Sequence, residues 1–343
     1  MRLGTVFAPN GDDDEAEGTI NPAATRLRDG ALAFYPRVVA RGNVSRVRRC
    51  RSLWNGDDVR FERDAFALEP HADFEFRTQP GGYGCEDPRV TYVAALDLYL
   101  MAYCAYGPAG AQVAVAHSRD GWQWNRLGPV SFRSAPHIYG DKDAAYFPDV
   151  VQSPGGEASI ALLHRPTFHV TVAGGRALVP SILAMEPRER ESICIAYVPL
   201  TAVQADVRAL LDVRDTQQIM HPDAPWGAIK VGVGPPPVRV REGWLLVYHG
   251  IDVLAGHEAS EKPAMQYRAG LAILDADRPD RVLYRAPEPF MWPELPEERE
   301  GVVDDVVFPT ALDPRGDLGD RQYDVYYGMG DALIGRGRLS LGT

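Results

Sequence analysis

The sequence contains little cysteine and no long apolar segment. Its four cysteines, Cys50, Cys85, Cys104 and Cys194, show no CxxC spacing, which disfavours both a disulfide scaffold and a cysteine-bound metal. No apolar run approaches the ~20 residues of a membrane span, and the opening MRLGTVFAPNGDDDE turns acidic too early for a signal peptide. These absences predict a soluble, cytoplasmic protein that uses no metal ion or other cofactor.

Basic residues are outnumbered by acidic ones. Lys and Arg total 36 against 47 Asp and Glu, a formal net charge of -11 that disfavours nucleic acid or an anionic membrane as the main partner. The exception is VSRVRRCR at residues 44–51, which holds four arginines. The sequence also lacks a GxSxG elbow and a histidine cluster with metal-ligand spacing, which disfavours a Ser-His-Asp hydrolase and a zinc enzyme.

Helical periodicity is scarce, with LTAVQADVRALLDV as the clearest example, whereas short strands recur along the chain. Five segments place a polar residue and a proline at the start of an apolar strand. The prolines are Pro22, Pro88, Pro148, Pro237 and Pro309, at spacings of 66, 60, 89 and 72 residues. A second strand follows each of them after a turn, as in YLMAYCAY and GWLLVYHG. This loose period is compatible with four-stranded blades joined by variable loops.

The strand pattern predicts an all-β fold, a five-bladed β-propeller with the active site at one mouth of the central channel. The whole chain, 1–343, is interpreted as one domain, with approximate blades at 18–70, 84–135, 142–215, 230–292 and 303–343. The N-terminal RLGTVFA is expected to pair with the last blade, because closing the ring removes two exposed edges. The main alternative is a β-sandwich with a separate second domain.

The innermost strands of a propeller begin at one mouth of the channel. Polar residues at or just before the five prolines are therefore expected to converge there: Asn21, Glu86 with Asp87, Lys142 with Asp143, Lys230, and Asp304 with Asp305. Because strand residues alternate between two faces, only one acid of each adjacent pair is expected to enter the site.

The chain contains a set of short motifs. In chain order they are NPA at Asn21, EDPR at Glu86, LHRP at Leu163, KVGVGPPP at Lys230 with GWLLVYHG, YRAGLAILD at Tyr267, VVFPTAL and YYGMGD. Taken together, they resemble those of glycoside hydrolase family 130, the β-mannoside phosphorylases and related mannosidases. The resemblance covers nearly the whole length and also implies a five-bladed propeller. It implies an inverting phosphorolysis, in which inorganic phosphate is the co-substrate and α-mannose 1-phosphate is a product.

The resemblance assigns the proton donor to the aspartate of EDPR, Asp87. The proton is expected to reach the leaving oxygen through the C3 hydroxyl of the bound mannose. A general acid needs a raised pKa, which burial and nearby acids can provide. Phosphate oxygens are bound well by the paired N–H donors of an arginine guanidinium group and by the localised charge of a lysine ammonium group. The expected phosphate ligands are Arg165, Lys230 and His249, with Ser45 and Arg46 as further candidates.

Recognition of a sugar calls for polar groups that bind its hydroxyls and for aromatic faces that meet its ring. Asp304 and Asp305 are expected to hold mannose hydroxyls, and Glu86 to act as an orienting residue or as a partner of Arg89. Further substrate contacts are expected from Asn21, Arg37, Arg89, Lys142 and Asp143, and from the aromatic candidates Tyr103, Tyr146 and Tyr248. An aromatic residue on a strand is, however, more often part of the core.

The chain departs from the family pattern at two places. It has Lys142 followed by Asp143 where the phosphorylases have a Lys-Asn pair, so Asp143 would either repel phosphate or pair with Lys142. The segment after Ser45 is also unusually rich in arginine. The leaving-group sugar is expected to meet variable loops at 167–190 or 256–265, or the partner subunit of a possible homo-oligomer.

Three functions remain open on these residues. Members of the family that use water tend to lose the basic groups, whereas this chain keeps Arg165, Lys230 and His249, which favours a phosphorylase. The first alternative is a β-mannosidase on the same scaffold, with Asp143 near a water. The second is a non-catalytic glycan-binding propeller, which would have a blocked channel mouth or an Asp87 turned outward.

Overall fold

The computed structural model describes residues 1–132, 140–167, 179–254, 256–257 and 263–342. The two loops predicted to meet the leaving group therefore lie partly outside the described residues. Within the described ranges, the strands form five antiparallel groups that follow one another along the chain. This arrangement, an all-β five-bladed propeller, confirms the predicted fold class.

The first strand, β1 (Arg2–Phe7), belongs to the last blade. Blade 1 contains β2 (Gly18–Arg26), β3 (Leu32–Ala40), β4 (Val44–Asn55) and β5 (Asp58–Leu68). Blade 2 contains β6 (Tyr83–Val93), β7 (Leu98–Gly107), β8 (Gly110–Ser118) and β9 (Asn125–Pro129). A short parallel pairing of β4 with β6 joins the two blades into one sheet.

Blades 3 and 4 have interrupted inner strands. After β10 (Ser131–Phe132), blade 3 contains β11 (Gly140–Tyr146), β12 (Val151–Gln152), β13 (Ala158–Thr167), β14 (Ile193–Pro199) and, beyond β15 (Asp212–Val213), β16 (Thr216–Met220). Blade 4 contains β17 (Lys230–Val233), β18 (Val238–Val240), β19 (Gly243–Val253), β20 (Met265–Leu274) and β21 (Val282–Arg285). Proline has no N–H to give to a sheet. The inner strands accordingly break around Pro148 and around Pro235, Pro236 and Pro237.

Blade 5 contains β22 (Val307–Pro314), β23 (Gln322–Met329) and β24 (Leu333–Ser340), and β1 completes it by pairing antiparallel with β24. The predicted closure by the N-terminal strand is therefore confirmed. The α-helices are short: α1 (Val179–Leu183), α2 (Leu200–Ala205) and α3 (Pro296–Arg299). In the segment with helical periodicity, a 3-10 turn at Val207–Leu211 follows α2. None of the helices in the described part of the chain is long and apolar enough to cross a membrane.

Apolar clusters between neighbouring blades form the core. Leu100 of blade 2 packs with Leu162 of blade 3, and Leu163 of blade 3 packs with Trp244 of blade 4. Similar buried clusters join blades 1 and 2, blades 4 and 5, and blades 5 and 1. Every blade is thus packed against two others, which closes the ring around the central channel.

The inner strands carry irregularities at the positions that matter for the site. The pairing register shifts between Ile20 and Ala23 in β2, between Glu86 and Arg89 in β6, and between Lys142 and Ala145 in β11. Each shift contains a residue in the left-handed backbone region, Asn21 (φ 43°), Asp87 (φ 46°) or Asp143 (φ 54°). Asn and Asp adopt this conformation more readily than other side-chain-bearing residues. Such bulges change the direction in which a strand residue points.

An ionic network joins blades 1 and 5 on the outside of the ring. The fully buried Asp324 carboxylate accepts hydrogen bonds from Arg315, Arg336 and Arg338, and Asp57 of the β4–β5 turn pairs with the same three guanidinium groups. A buried charge that loses its partner is strongly destabilising. The network therefore depends on Asp324.

We expect Asp324→Asn to destabilise the protein by about 3–5 kcal/mol, because it leaves the buried guanidinium groups of Arg315 and Arg336 undercompensated. The measurement is the thermal unfolding midpoint. Asp317→Asn is the matched control, since Asp317 also pairs with Arg315 but is largely exposed. Its midpoint should barely change. Equal shifts for the two variants would contradict the assignment.

Candidate active site

A cavity of about 450 Å³ lies where the inner strands of the blades meet. Every blade contributes to its lining: Asn21 and Arg37 from blade 1, Asp87 and Tyr106 from blade 2, Lys142, Asp143 and Arg165 from blade 3, Lys230, His249 and Tyr267 from blade 4, and Phe308 and Asp331 from blade 5. The predicted convergence is confirmed for the inner-strand starts of the first four blades. The cavity is accessible and Asp87 lines it, contrary to the blocked mouth or outward Asp87 expected of a non-catalytic propeller.

Asp87 and Glu86 bind the same arginine. Arg37 donates from Nη1 to Asp87 Oδ1 at 3.0 Å and from Nη2 to Glu86 Oε1 at 3.0 Å. Asn21 Nδ2 donates to Asp87 Oδ1 at 2.9 Å. Asp87 lines the cavity and Glu86 does not, as predicted for adjacent acids of a strand. The bulge in β6 nevertheless allows both carboxylates to bind Arg37. The second oxygen of Glu86 lies 3.6 Å from Lys142 Nζ.

The pKa of Asp87 differs from the expectation. Burial raises the pKa of this carboxyl, but the charges of Arg37, Arg89 and Lys142 outweigh burial, so the net pKa lies below its ordinary value. In the free protein Asp87 is therefore ionised at neutral pH. The sequence indicated the acids and the burial but not how many cations would face this group.

Asp331 is the cavity acid that retains a proton most readily. Burial, followed by the repulsion of Asp87 and Glu86, raises its pKa to about 6, although Arg37 acts in the opposite direction. Asp331 follows β23 in the YYGMGD motif, at a left-handed position (φ 49°). The sequence contains this motif but did not predict a role for Asp331.

Arg165, Lys230 and His249 lie together on β13, β17 and β19, as the sequence predicted for the phosphate site. Two carboxylates lie among them. Arg165 Nε donates to Asp143 Oδ2 at 2.7 Å, and Arg165 Nη1 donates to Glu191. Asp143 Oδ2 lies 3.5 Å from His249 Nε2. We call these five residues the cradle.

The cradle depends on a close approach of β17 to Asp143 and His249. A Cβ atom at Gly232 would lie 2.4 Å from Asp143 Oδ2 and 2.4 Å from His249 Nε2. A side chain at Gly232 would therefore displace the Asp143 carboxylate or the His249 ring. Asp143 pairs with Arg165, whereas the sequence had offered Lys142 as its partner; Lys142 instead approaches Glu86. Both neighbours line the cavity, because the bulge in β11 interrupts the regular alternation of the strand, but they bind different partners.

Ser45 and Arg46, the further phosphate candidates, do not line the cavity. Ser45 Oγ is buried and accepts a hydrogen bond from Arg37 Nε at 2.9 Å, so Ser45 positions that arginine. Arg46 is directed to Asp14, with its Nη1 donating at 3.0 Å. The arginine-rich segment of β4 is thus occupied by ion pairs and by stacking on Phe66 and Trp122.

Asp304 and Asp305 do not line the cavity either. Asp304 is exposed and accepts a hydrogen bond from the Gly301 N–H, while Asp305 lies in a left-handed turn (φ 58°) before β22. In blade 5 the inner strand begins after these acids, and it brings Phe308 to the cavity instead. Asp331, from the turn after β23, occupies the place that the sequence had assigned to the Asp304–Asp305 pair.

The predicted aromatic platforms belong to the core. The Tyr103 hydroxyl donates to Glu75, the Tyr248 hydroxyl accepts from Arg285, and Tyr146 is fully buried. The aromatic residues that line the cavity are Tyr106, Tyr267 and Phe308. The buried Arg89 does not line it, because its Nε donates to Gly234 O at 2.6 Å and its Nη1 to Asp87 O at 2.8 Å. Arg89 therefore fixes the backbone of the bulge.

The rarity of lysine is a signal in the sequence that supports two of these predictions. The chain has only three lysines, and two of them, Lys142 and Lys230, line the cavity. An unusually rare residue type was thus a useful indicator. Glu191, by contrast, lies in the plain segment ERES and carried no signal. Among the described residues, no group of three or more His, Cys, Asp or Glu side chains is arranged to hold a metal ion.

Comparison with known proteins agrees with this architecture. A 1,2-β-oligomannan phosphorylase of Thermoanaerobacter sp. (strain X514) is 27% identical over 256 residues, covering 74% of this chain and 67% of that protein. A β-1,2-mannobiose phosphorylase of the same organism is 38% identical over 110 residues, covering 32% of each chain. The solved structure of the Listeria innocua β-1,2-mannobiose phosphorylase matches the fold with a TM-score of 0.70 at 21% identity, covering 98% of this chain and 94% of that chain.

A family model also matches nearly the whole chain. The model described as beta-1,4-mannooligosaccharide phosphorylase matches residues 8–341. The resemblance drawn from the motifs is thereby confirmed over nearly the whole chain, and the protein is an enzyme that belongs to glycoside hydrolase family 130.

Proposed function

We propose that the protein is an inverting β-mannoside phosphorylase that transfers mannose from a β-mannoside to inorganic phosphate and forms α-mannose 1-phosphate. The observation that carries the proposal is the joint presence, in one cavity, of a buried carboxyl group at Asp87 and of the basic donors Arg165 and Lys230. The names of the relatives, phosphorylases of β-1,2- and β-1,4-linked mannosides, support the same substrate class.

Asp87 is the proposed general acid. The bond between the anomeric carbon and the leaving oxygen breaks, and the leaving oxygen receives a proton that originates on Asp87, relayed by the C3 hydroxyl of mannose. A phosphate oxygen attacks the anomeric carbon from the opposite face, which converts the β-anomer into the α-anomer. Phosphate takes the place of the second catalytic carboxylate, so one protein acid is sufficient. Hydrogen phosphate loses its proton in the overall exchange, which restores Asp87.

Phosphate also helps Asp87 to hold its proton. In the free protein, nearby cations lower the pKa of Asp87. An anion that binds beside Arg165 and Lys230 adds negative charge to the same buried cavity. This charge raises the pKa of Asp87 and so opposes the effect of Arg37, Arg89 and Lys142. The proposed acid is therefore expected to become protonated in the complex with phosphate, where it is needed.

The mannose ring is proposed to bind between the acids and the aromatic side chains of the cavity. Asp331 and Asn21 offer polar groups for hydroxyls, and Tyr267 and Phe308 offer apolar faces. The cradle then lies beside the ring, within the same cavity. Arg37 holds Asp87 and is itself positioned by Ser45.

The test is phosphate dependence. With mannobiose, mannosyl-glucose or mannosyl-N-acetylglucosamine as substrate, we expect turnover only when phosphate or arsenate is present. Phosphate should give α-mannose 1-phosphate, whereas arsenate should give free mannose, because water hydrolyses the mannosyl arsenate. Arg165→Met should raise the KM for phosphate by roughly tenfold or more, because a charge-assisted hydrogen-bond donor is lost. Release of free mannose from the wild-type protein in phosphate-free buffer would refute the proposal.

The alternative function is hydrolysis. Asp143 and Glu191 are carboxylates beside the position proposed for the nucleophile, and an inverting hydrolase uses such a group to activate water. Under this alternative, turnover would be independent of phosphate and Glu191→Gln or Asp143→Asn would abolish it. Both carboxylates are bound to Arg165, an arrangement that weakens a carboxylate as a base, and phosphorolysis is therefore preferred.

A further inference from the structure

The cradle has no excess positive charge. Arg165 and Lys230 provide two positive charges, while Asp143 and Glu191 provide two negative ones. Arg165 donates to both carboxylates, and Lys230 Nζ lies 4.0 Å from Glu191 Oε2. A site of this kind cannot recognise an anion by charge alone. It has to recognise the anion by the positions of its own hydrogen-bond donors and acceptors.

His249 adds no charge to the cradle. The imidazole is buried, and burial lowers its pKa to about 3 although Asp143 acts in the opposite direction. Within the described residues its Nδ1 is buried without a hydrogen-bond partner, while its Nε2 faces Asp143 Oδ2 at 3.5 Å. The neutral ring is therefore assigned the tautomer that directs Nε2–H toward the carboxylate. Asp143 is bound by Arg165 and approached by His249.

An ionised Asp143 can only accept hydrogen bonds. It is fully buried, and burial raises its pKa, but the charges of Arg165 and Arg89 and the hydrogen bond from Arg165 lower that pKa more strongly, so the group is ionised. An anion bound at the cradle consequently meets both donors and an acceptor. A hydrogen phosphate ion matches this pattern, because its P–OH group donates while its other oxygens accept. Sulfate carries no proton at neutral pH and has nothing to donate.

We propose that Asp143 makes the cradle selective for a tetrahedral oxyanion that carries its own proton, so that it takes phosphate or arsenate and rejects sulfate, while Glu191 is a displaceable counter-anion that weakens all anions equally. The inference rests on the proposed function, since it assigns phosphate to the cradle. The two carboxylates have separate roles: Asp143 sets which anion binds, and Glu191 sets how tightly.

Glu191 suits the role of a displaceable group. Its backbone is fixed beside β17, where Val231 N donates to Glu191 O at 3.1 Å, but its side chain is a fifth exposed. It also lines a smaller neighbouring cavity of about 190 Å³, together with Ile182, Met185 and Ile229. Because it is partly exposed and borders a second cavity, Glu191 is the carboxylate of the cradle that has space beside it. Asp143, which is 2% exposed, has no such freedom.

The experiment measures binding of inorganic phosphate and of sulfate by isothermal titration calorimetry, without sugar, at pH 7.5 and constant ionic strength. The wild-type protein is expected to bind phosphate at least roughly tenfold more tightly than sulfate, the effect of one hydrogen bond to a charged group. In Asp143→Asn the ratio of the sulfate to the phosphate dissociation constant, which we call the gap, should fall to about threefold, because an amide donates as well as accepts. In Glu191→Gln both anions should bind more tightly by a similar factor, so the gap should be unchanged.

The control variant is Asp304→Asn, which removes one negative charge from an exposed site outside the cavity and should change neither affinity. Asp143→Gly is a second variant that removes the acceptor and suits the left-handed backbone, so the test does not depend on one variant folding. Equal affinity of the wild-type protein for the two anions, binding of neither anion, or an unchanged gap in both Asp143 variants would overturn the inference.

Failure of the proposed function gives a different result. Binding requires no turnover, so phosphate-independent release of mannose by a protein that still binds phosphate selectively would refute the phosphorylase and leave the inference standing. Conversely, phosphate-dependent turnover combined with equally tight sulfate binding would overturn only the selectivity of Asp143.

Discussion

Asp87→Asn is expected to lower kcat for phosphorolysis of a manno-oligosaccharide by about 10³-fold, in the range that loss of a general acid produces. The amide has the shape of the carboxyl group but supplies no proton. The backbone should be unaffected, since Asn tolerates the left-handed conformation at this position. Initial rates of sugar 1-phosphate formation at saturating phosphate measure the effect.

Substrates with different leaving groups distinguish a chemical role of Asp87 from a structural one. A dinitrophenyl β-mannoside has a leaving group that needs no protonation, so Asp87→Asn should retain most of its activity on this substrate. Glu86→Gln is the matched control, because Glu86 binds the same Arg37 but lies outside the cavity lining. It should lose far less activity than Asp87→Asn. If Asp87→Asn were equally impaired on both substrates, the carboxyl group would be structural and the assignment would be wrong.

Asp331→Asn is expected to lower kcat/KM about 10²-fold and, in the same molecule, to raise stability. The activity falls because a carboxylate proposed to bind mannose hydroxyls becomes a weaker acceptor. The stability rises because the folded protein holds this group at a pKa of about 6, well above its ordinary 3.8. Ionising it at neutral pH thus costs on the order of 2–3 kcal/mol, which the amide avoids.

The pH dependence follows from the sign of that shift. A carboxyl group whose pKa is raised by folding binds more protons in the folded state, so the folded state loses stability as the pH rises from about 3.8 to about 6. The thermal unfolding midpoint of Asp331→Asn should therefore exceed that of the wild-type protein, by the full amount at pH 7.5 and by a smaller amount at pH 5. Asp304→Asn, at an exposed acid, should show no such difference. A variant less stable than the wild-type protein at pH 7.5 would contradict the prediction.

The fold could be read from the sequence because its signals are local and repeated. A proline at each inner strand and a second strand after a turn were sufficient to locate the blades, and the closing strand β1 followed from the need to cover an edge. The site was only partly readable. Asn21, Asp87, Lys142 and Lys230 stand at strand starts, where topology alone brings them together.

Residues that depend on side-chain direction were harder to predict. Strand alternation predicted that one of Glu86 and Asp87 enters the site, but it did not predict that the bulge in β6 allows both to bind Arg37. Asp87 and Asp143 lie inside β6 and β11, whereas β22 begins only after Asp304 and Asp305. Asp331 enters the cavity from a turn instead. Glu191 reaches the cradle from an irregular segment, where no periodicity indicates a direction.

Asn21, Asp87, Asp143 and Asp331 share a left-handed backbone, and this restricts how the active site can be varied. Most residue types are energetically unfavourable in this backbone conformation. A library of substitutions at these positions would therefore contain mainly variants with a strained or altered backbone. Only exchanges among Asp, Asn and Gly change the chemistry while keeping the chain path. For anyone redesigning this enzyme, the repertoire at these four positions is therefore limited to three residue types, and new specificity has to come from the cavity residues that lie on regular strands.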